Sequence, residues 1–309
     1  MAMIEAYGLT KRFVDLTAVG DLNLTVEEGE VLGFLGPNGA GKTTTIRMLA
    51  GIIVPTSGHA QVAGLRPDQE PERLHEVVGL LTESPGFYYR LSAQRNLEYF
   101  AGFYSGIEID TQVEKYLRLM GLWERRQDRV GTFSKGMRKR LALARALMHE
   151  PRVLFLDEPT AGLDPEVARE VRDMIKALGV EGRTIFLSTH NLAEAELLCQ
   201  RIAVIRTRLL ALDTPERLRR RLFRREVTVR LETAESPLLD AVKKLAFVQK
   251  VSQDSNQLIV ELADPEKNRP ELVKCIVDAG GRVMDVSEER HSLEEVYFNL
   301  IKEEGNYGS

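Results

Sequence analysis

The stretch that decides the fold is "EVLGFLGPNGAGKTTTIRMLAGI", residues 30–52. Glu30–Leu35 reads as a buried strand that runs straight into a glycine loop. "KTTTIRMLAGI" follows as a helix, with Gly51 at its C-terminal stop. Gly36-Pro-Asn-Gly-Ala-Gly-Lys42-Thr43 matches G-x-x-x-x-G-K-[ST] in full, with strand before and helix after. Glycines at these positions let backbone N–H groups turn inward around phosphate oxygens without a Cβ clash. Lys42 is placed to neutralise the β- and γ-phosphates of a nucleotide, and Thr43 to offer its hydroxyl to magnesium. The expected phosphate-binding set is therefore Gly36, Pro37, Asn38, Gly39, Ala40, Gly41, Lys42, Thr43 and Thr44.

Two further apolar runs end in chemistry. "RVLFLDEP" is a buried strand over Val153–Leu156, ending in Asp157 and Glu158. Asp157 is placed to hold magnesium, directly or through water. Glu158, beside it at the strand end, is placed to orient and deprotonate an attacking water. "GRTIFLSTH" is a third strand, Thr184–Ser188, closing at His190. Ligands bind outside the carboxyl ends of parallel strands, so the glycine loop, Asp157 and His190 belong on one sheet edge. A donor at His190 would reach the γ-phosphate and its transition-state charge. His59, His75, His149 and His291 have no such setting and read as structural. "DPEVAREVRDMIKAL" between the two strands is a capped amphipathic helix. Residues 1–35 read as short strands with a turn at Glu28–Gly29, "VPTSGHAQVAG" as a turn and a strand, and residues 84–150 as mostly helical. Strands alternating with helices indicate a largely parallel sheet with helices packed around it.

At 309 residues the chain is long for one core, so two domains are expected. The composition shifts near residue 215, where six arginines fall between Arg217 and Arg225. That run reads as a solvated helix face. After it, "VTVRLE", "VQKVSQ", "QLIVELA" and "GRVMDVS" read as strands, with helical stretches near 236–246, 268–279 and 292–303. The expected division is 1–215 and a separate α+β domain over about 220–305, with a frayed "GNYGS" tail. A net charge of −4 weighs against nucleic acid as the main partner. Cys199 and Cys275 lie far apart without CxxC spacing and read as core thiols in a reducing cytosol. No charged-plus-apolar leader opens the chain, and no apolar run approaches the roughly 18–20 residues that span a bilayer. Any membrane role is expected to come through a partner.

"GTFSKGMRKRLALARAL", Gly131–Leu147, is a second glycine-containing helix start. Free N–H groups and the helix dipole make such a start attractive to anions. The order phosphate loop, FSKGM, LDEPTAGLD, STH resembles the nucleotide-binding subunit of ATP-binding cassette (ABC) transporters, over about residues 4–215. No NKxD motif supports guanine. The resemblance implies an α/β fold: a P-loop NTPase core with a mostly parallel sheet, an antiparallel β subdomain and a helical subdomain over about 84–150. It implies ATP and Mg2+ as ligands and ATP hydrolysis as the reaction.

It also implies a head-to-tail dimer with a second copy or a sibling cassette. Ser134 and Gly136 would then meet the γ-phosphate held by the opposite subunit, and Asp164 in "AGLD" would reach across the interface. Phe13 occupies the position of the adenine-stacking aromatic, with Tyr7 as a second candidate. Glu83 in "LLTESP" stands where the family usually has a glutamine that contacts magnesium and the membrane subunit. FSKGM in place of LSGGQ, Glu83 and Gln200 depart from the family pattern. "FSKGM", "PNGAGKTTTIRML" and the accessory domain resemble the subgroup that pairs with a separate six-helix membrane permease. Its members are mainly exporters of antibiotics, lipids, polysaccharides or ions.

The implied place is the cytoplasmic face of the membrane, held peripherally. The stretch 84–110 would form the groove that receives a short permease helix, and "SLEEVYFNLI" would assist dimerisation or regulation. The alternative is a soluble ATPase remodelling ribosomes or nucleic acid. That class fuses two cassettes or inserts a long coiled coil, and this chain has one cassette and no long heptad run.

Overall fold

Alternating apolar and polar residues build two antiparallel strands, β1 (Ala2–Phe13) and β2 (Leu16–Glu27). Leu22, Leu24 and Val26 point inward, while Asp21, Asn23 and Glu27 face out. These are two long strands, not several short ones. The pairing register shifts on both sides of Leu9, and Gly8 and Asp21 there adopt positive φ. Such bulges interrupt the period-2 pattern without ending the strand.

After the turn at Gly29 (φ +75°), the five residues of β3 (Val31–Leu35) are all buried. The glycine loop leads into α1 (Lys42–Leu49), which stops at Gly51 (φ +70°). β4 (Ser57–Val62) adds to the free edge of β1, giving a three-stranded sheet in the order β2-β1-β4. A short helix, α2 (Pro71–His75), precedes β5 (Val78–Leu81), a four-residue strand too brief to show a pattern in sequence. The middle segment holds α3 (Ala93–Ala101), α4 (Ile109–Leu119) and α5 (Lys135–Leu147). Then come β6 (Val153–Asp157), α6 (Pro165–Val180), β7 (Thr184–Thr189), α7 (Leu192–Leu198) and the hairpin β8 (Arg201–Arg206) with β9 (Arg208–Asp213).

The main sheet has the order β5-β6-β7-β3-β8-β9. Its first five strands run parallel, and β9 closes the edge antiparallel to β8. β3, β6 and β7 are buried along their whole length, as strands covered on both faces must be. Phe186 packs against both Phe34 and Phe155 there.

The computed structural model describes residues 1–222, 226–233, 236–262, 264–288, 295 and 297. It divides the chain into two units, Met1–Pro215 and Glu216–Ser309. α8 (Pro215–Leu222) begins at that junction. The second unit is a four-stranded antiparallel sheet of β10 (Glu226–Leu231), β11 (Val248–Asp254), β12 (Gln257–Leu262) and β13 (Val283–Glu288), in the order β11-β12-β10-β13. α9 (Ser236–Lys243) and α10 (Pro265–Asp278) contribute Leu238, Val242, Leu272 and Ile276 to a core with Val227, Val229, Leu258 and Val260. The helix expected near 292–303, His291 and four of the six arginine side chains of the basic run lie outside the described residues, Glu295 and Tyr297 apart.

Candidate functional site

Strand register brings the separate motifs to one edge. Leu35 at the end of β3 pairs with Thr189 of β7, and Asp157 at the end of β6 pairs with Ser188. β7 lies between β3 and β6, so the glycine loop, Asp157–Glu158 and His190 leave the sheet side by side. Glu83 follows β5, one strand further out.

The loop itself is pinned by backbone bonds: Ala40 N donates to Pro37 O, and Thr207 N to Ala40 O. Gly39 and Gly41 take φ of +81° and +98°. A Cβ on Gly41 would sit 2.3 Å from the Ala18 carbonyl oxygen, and one on Gly36 would sit 2.5 Å from that of Ile205. Asn38 and Gly39 are exposed at the tip, Ala40 is buried, and Thr44 is half-buried. Lys42 is 6% exposed. Its ammonium donates to Gly36 O at 2.8 Å and Pro37 O at 3.2 Å, and lies 3.3 Å from Glu158 Oε1. A charge this deeply buried needs partners, and here they are two carbonyls of its own loop and one carboxylate.

Thr43 Oγ1 donates to Asp157 Oδ2 at 2.8 Å, and Ser188 Oγ donates to Asp157 Oδ1 at 2.6 Å. Asp157 is 2% exposed. Thr43 and Asp157 thus present adjacent hard oxygens, the donor type that magnesium takes. Glu158 has φ +49°, an uncommon state for a residue with a side chain. Its N–H donates to Ser188 O at 3.1 Å, and its Oε2 lies 2.9 Å from His190 Nδ1. Glu158 Oε1 is buried beside Lys42 with no hydrogen-bond partner among the described residues. The His190 side chain is 55% exposed.

The remaining expected residues are placed less directly. Ser134 is the N-cap of α5, its Oγ accepting from Met137 N at 3.2 Å. Gly136 has a reason inside this chain: a Cβ there would meet Val167 Cγ1 at 2.5 Å, where α5 packs on α6. Asp164 holds the N-cap position of α6 ahead of Pro165, and its side chain makes no capping bond. Glu83 is exposed and, among the described residues, forms no hydrogen bond or ion pair. It lines a cavity of about 480 Å³ with Lys135, Arg138, Lys139 and Gly162, apart from the Thr43–Asp157 contact. Phe13 is 46% exposed at the end of β1, with Lys11 over its ring. Tyr7 is equally exposed but stacks on His59 and donates to Glu5, so its ring is already engaged.

Three residues at this edge carry no role assigned from the sequence. Ser188 fastens Asp157. Glu194, 2% exposed, accepts from Thr160 and Thr189. Lys139 is buried near the acids: burial pushes its ammonium pKa down, while Asp157, Glu83 and Glu158 oppose that. A charged residue on the apolar face of the α5 pattern was the available signal for Lys139. His75 contacts Ala50 O, and His149 contacts Val78 O and stacks on Tyr104, as structural histidines do. Cys199 is buried against Gly33, whereas Cys275 is only half-buried, so it is not a core thiol.

A family model described as ABC transporter matches residues 19–161, and one described as ATP-binding protein DrrA1-3-like, C-terminal domain, matches residues 214–301. A third, described as AAA domain, putative AbiEii toxin, Type IV TA system, overlaps residues 129–196. A fluoroquinolones export ATP-binding protein of Mycobacterium tuberculosis is 42% identical over 243 residues, covering 75% of this chain and 80% of that protein. The chain belongs to the ABC transporter ATP-binding proteins. The bacitracin transport ATP-binding protein of Bacillus licheniformis is 35% identical over 309 residues, covering 97% of each chain. A solved ATP-binding subunit of an ABC transporter superposes with a TM-score of 0.65 at 29% identity, covering 71% of this chain and 92% of that one. As a member of this family the chain is an ATP-binding ATPase, and the α/β cassette architecture is shared with its solved relatives.

Proposed function

We propose that this chain is the motor of an exporter: it hydrolyses ATP with Mg2+ as a head-to-tail pair of cassettes and drives a solute through a separate polytopic permease. The observation that carries the hydrolytic part is the row Lys42, Glu158, His190 on one sheet edge, with Oε2 of Glu158 beside His190 Nδ1 and its buried Oε1 beside the Lys42 ammonium, without a hydrogen-bond partner among the described residues. Full-length similarity to a bacitracin transport protein, and the identity with a fluoroquinolones export protein, support export.

In this reading Lys42 exchanges the carbonyl oxygens of Gly36 and Pro37 for phosphate oxygens. Thr43 and Asp157 would hold Mg2+, which would supply charge neutralisation for the phosphates. Glu158 takes the proton of the attacking water at Oε1, while His190 keeps Oε2 oriented. Phe13 stacks on the adenine of the same site. Ser134 and Asp164 serve the nucleotide of the opposite subunit. The Ser134 cap leaves a positive helix end beside it for that phosphate. Glu83, lacking a contact with Thr43 or Asp157 here, is proposed as a metal contact only on nucleotide binding.

Attachment to the membrane would be through the permease, on its cytoplasmic face. No helix among the described residues is long and apolar enough to cross a bilayer. A groove of about 590 Å³, lined by Val78, Phe100, Phe103, Tyr104 and Arg145, suits a short amphipathic permease helix. The test is to tag the chain in its host, extract in mild detergent and identify what co-purifies. A stoichiometric multi-span membrane protein is the expected result. Ribosomal or DNA-binding proteins with nothing polytopic would move the function to soluble remodelling.

A further inference from the structure

We propose that Glu194 is a positioning residue that holds Glu158 and His190 together across two strand ends, an inference that rests on the hydrolytic reading of that pair. Glu194 Oε1 accepts from Thr160 Oγ1 at 2.7 Å, and its Oε2 accepts from Thr189 Oγ1 at 2.7 Å. Thr160 follows Glu158 by two residues, and Thr189 immediately precedes His190. His190 Nδ1 lies 2.9 Å from Glu158 Oε2. Chain and contacts therefore close a ring: Glu158, Pro159, Thr160, Glu194, Thr189, His190 and back to Glu158. Each link is either a short peptide segment or one polar contact of 2.9 Å or less. The ring leaves the two side chains little independent motion.

Two observations separate this from ordinary helix packing. α7 does not need the Glu194 carboxylate to start, because Asn191 Oδ1 already caps it by accepting from Glu194 N. Nor is a buried acid a cheap space filler: burial raises the Glu194 pKa, and the two threonine hydroxyls offset that penalty. Glu158 also sits at φ +49°, a state that persists only where surroundings over-determine it. Ser188 restrains Glu158 from the strand side, and the Glu194 ring restrains it from the loop side.

The experiment compares Thr160→Val, Glu194→Ala and Glu194→Gln in the full chain. Three readouts are taken: ATP affinity, kcat, and the ring ¹⁵N shifts of His190 in nucleotide-free protein, assigned against His190→Gln. Thr160→Val and Glu194→Ala should lower kcat about tenfold or more, as small misplacements of reacting groups do, with ATP affinity within about twofold. The His190 Nδ1 signal should lose its hydrogen-bonded shift in both. Glu194→Gln can still accept from one threonine and donate to the other, so it should recover most of the kcat and the parental shift.

A folded Thr160→Val protein with parental kcat and parental His190 shifts overturns the proposal. It keeps the test decisive even where Glu194→Ala does not fold. Glu158→Gln and His190→Ala run alongside. If they also hydrolyse at the parental rate, the hydrolytic reading has failed. If they lose turnover while the Thr160 and Glu194 variants keep it, only the positioning role has.

Discussion

Glu158→Gln should give three responses with different signs. The substitution keeps the volume and an oxygen for the His190 ring, and removes one charge. That charge faces Lys42 at 3.3 Å, with the two side chains 13% and 7% exposed. At an effective dielectric of about 20, such a contact is about 5 kcal/mol of gross Coulomb attraction. Most of it is offset by the desolvation both charges undergo on folding. The net loss to the nucleotide-free protein is then roughly 1–3 kcal/mol. For a unit this size that lowers Tm by about 2–12 °C. ATP affinity moves the other way, because the γ-phosphate no longer meets a carboxylate and Lys42 is freed for it. A gain of about tenfold corresponds to about 1.4 kcal/mol. Turnover should fall by about 10²–10⁴-fold, the contribution of a positioned base. Thermal melts without nucleotide, ATP titration and phosphate release measure the three. Parental turnover would refute the base assignment. Weaker ATP binding than the parent would refute the electrostatic argument, whatever the turnover.

Gly41→Ala should destabilise the cassette by about 2–4 kcal/mol and abolish measurable ATP binding, since it combines a strained positive φ with a Cβ 2.3 Å from the Ala18 carbonyl. A parental melt with parental affinity would mean that the loop is not held as described. Ser134→Asp retains an N-cap acceptor for Met137 N, so stability should change by less than about 1 kcal/mol. It places a carboxylate where the opposite subunit's γ-phosphate is proposed, so hydrolysis should be lost while each monomer still binds ATP. Parental turnover, with its dependence on protein concentration unchanged, would contradict the shared site.

His149 supplies a pH dependence. Its Nε2 donates to Val78 O, and its Nδ1 is buried without a hydrogen-bond partner among the described residues, which favours the neutral ring in the folded state. Burial pushes its pKa below the ordinary value, against the pull of the Val78 carbonyl. Below about pH 6.5 the unfolded chain takes up a proton that the folded chain refuses, so stability falls as pH drops, and the effect is flat above that range. His149→Phe keeps the ring stack on Tyr104 and should flatten this slope in denaturant titrations between about pH 7.5 and pH 5.5. An unchanged slope would remove His149 from the account.

Local sequence determined a good deal of this protein. A strand, loop and helix with glycines at fixed spacing dictate a phosphate cradle, because only glycine tolerates φ of +81° and +98° at Gly39 and Gly41. The buried runs ending at Asp157 and His190 read correctly as parallel strands, since a strand covered on both faces must be apolar throughout. The two long strands β1 and β2 read as fragments because bulges interrupt the alternation, and β5 went unread because four residues carry no period.

What tertiary structure alone decided is which side chains meet. That β7 runs between β3 and β6 is a matter of strand order, and no local pattern encodes it. It sets Ser188 on Asp157, and Lys42 and His190 on either side of Glu158. It also sorts look-alike residues: Gly136 is required by Val167 of α6, Tyr7 is already stacked on His59, and Glu83 makes no contact with Thr43 or Asp157. Glu194 shows the limit most clearly. In sequence it is one acid of an ordinary amphipathic helix. Thr189 is close to it in sequence, but only the packing of β6 beside β7 brings Thr160 onto its other oxygen. Backbone propensity and side-chain period act over a few residues, whereas the contacts of Thr160 with Glu194, Asp157 with Ser188 and Glu158 with His190 join positions some 30 residues apart or more, through the packing of the sheet.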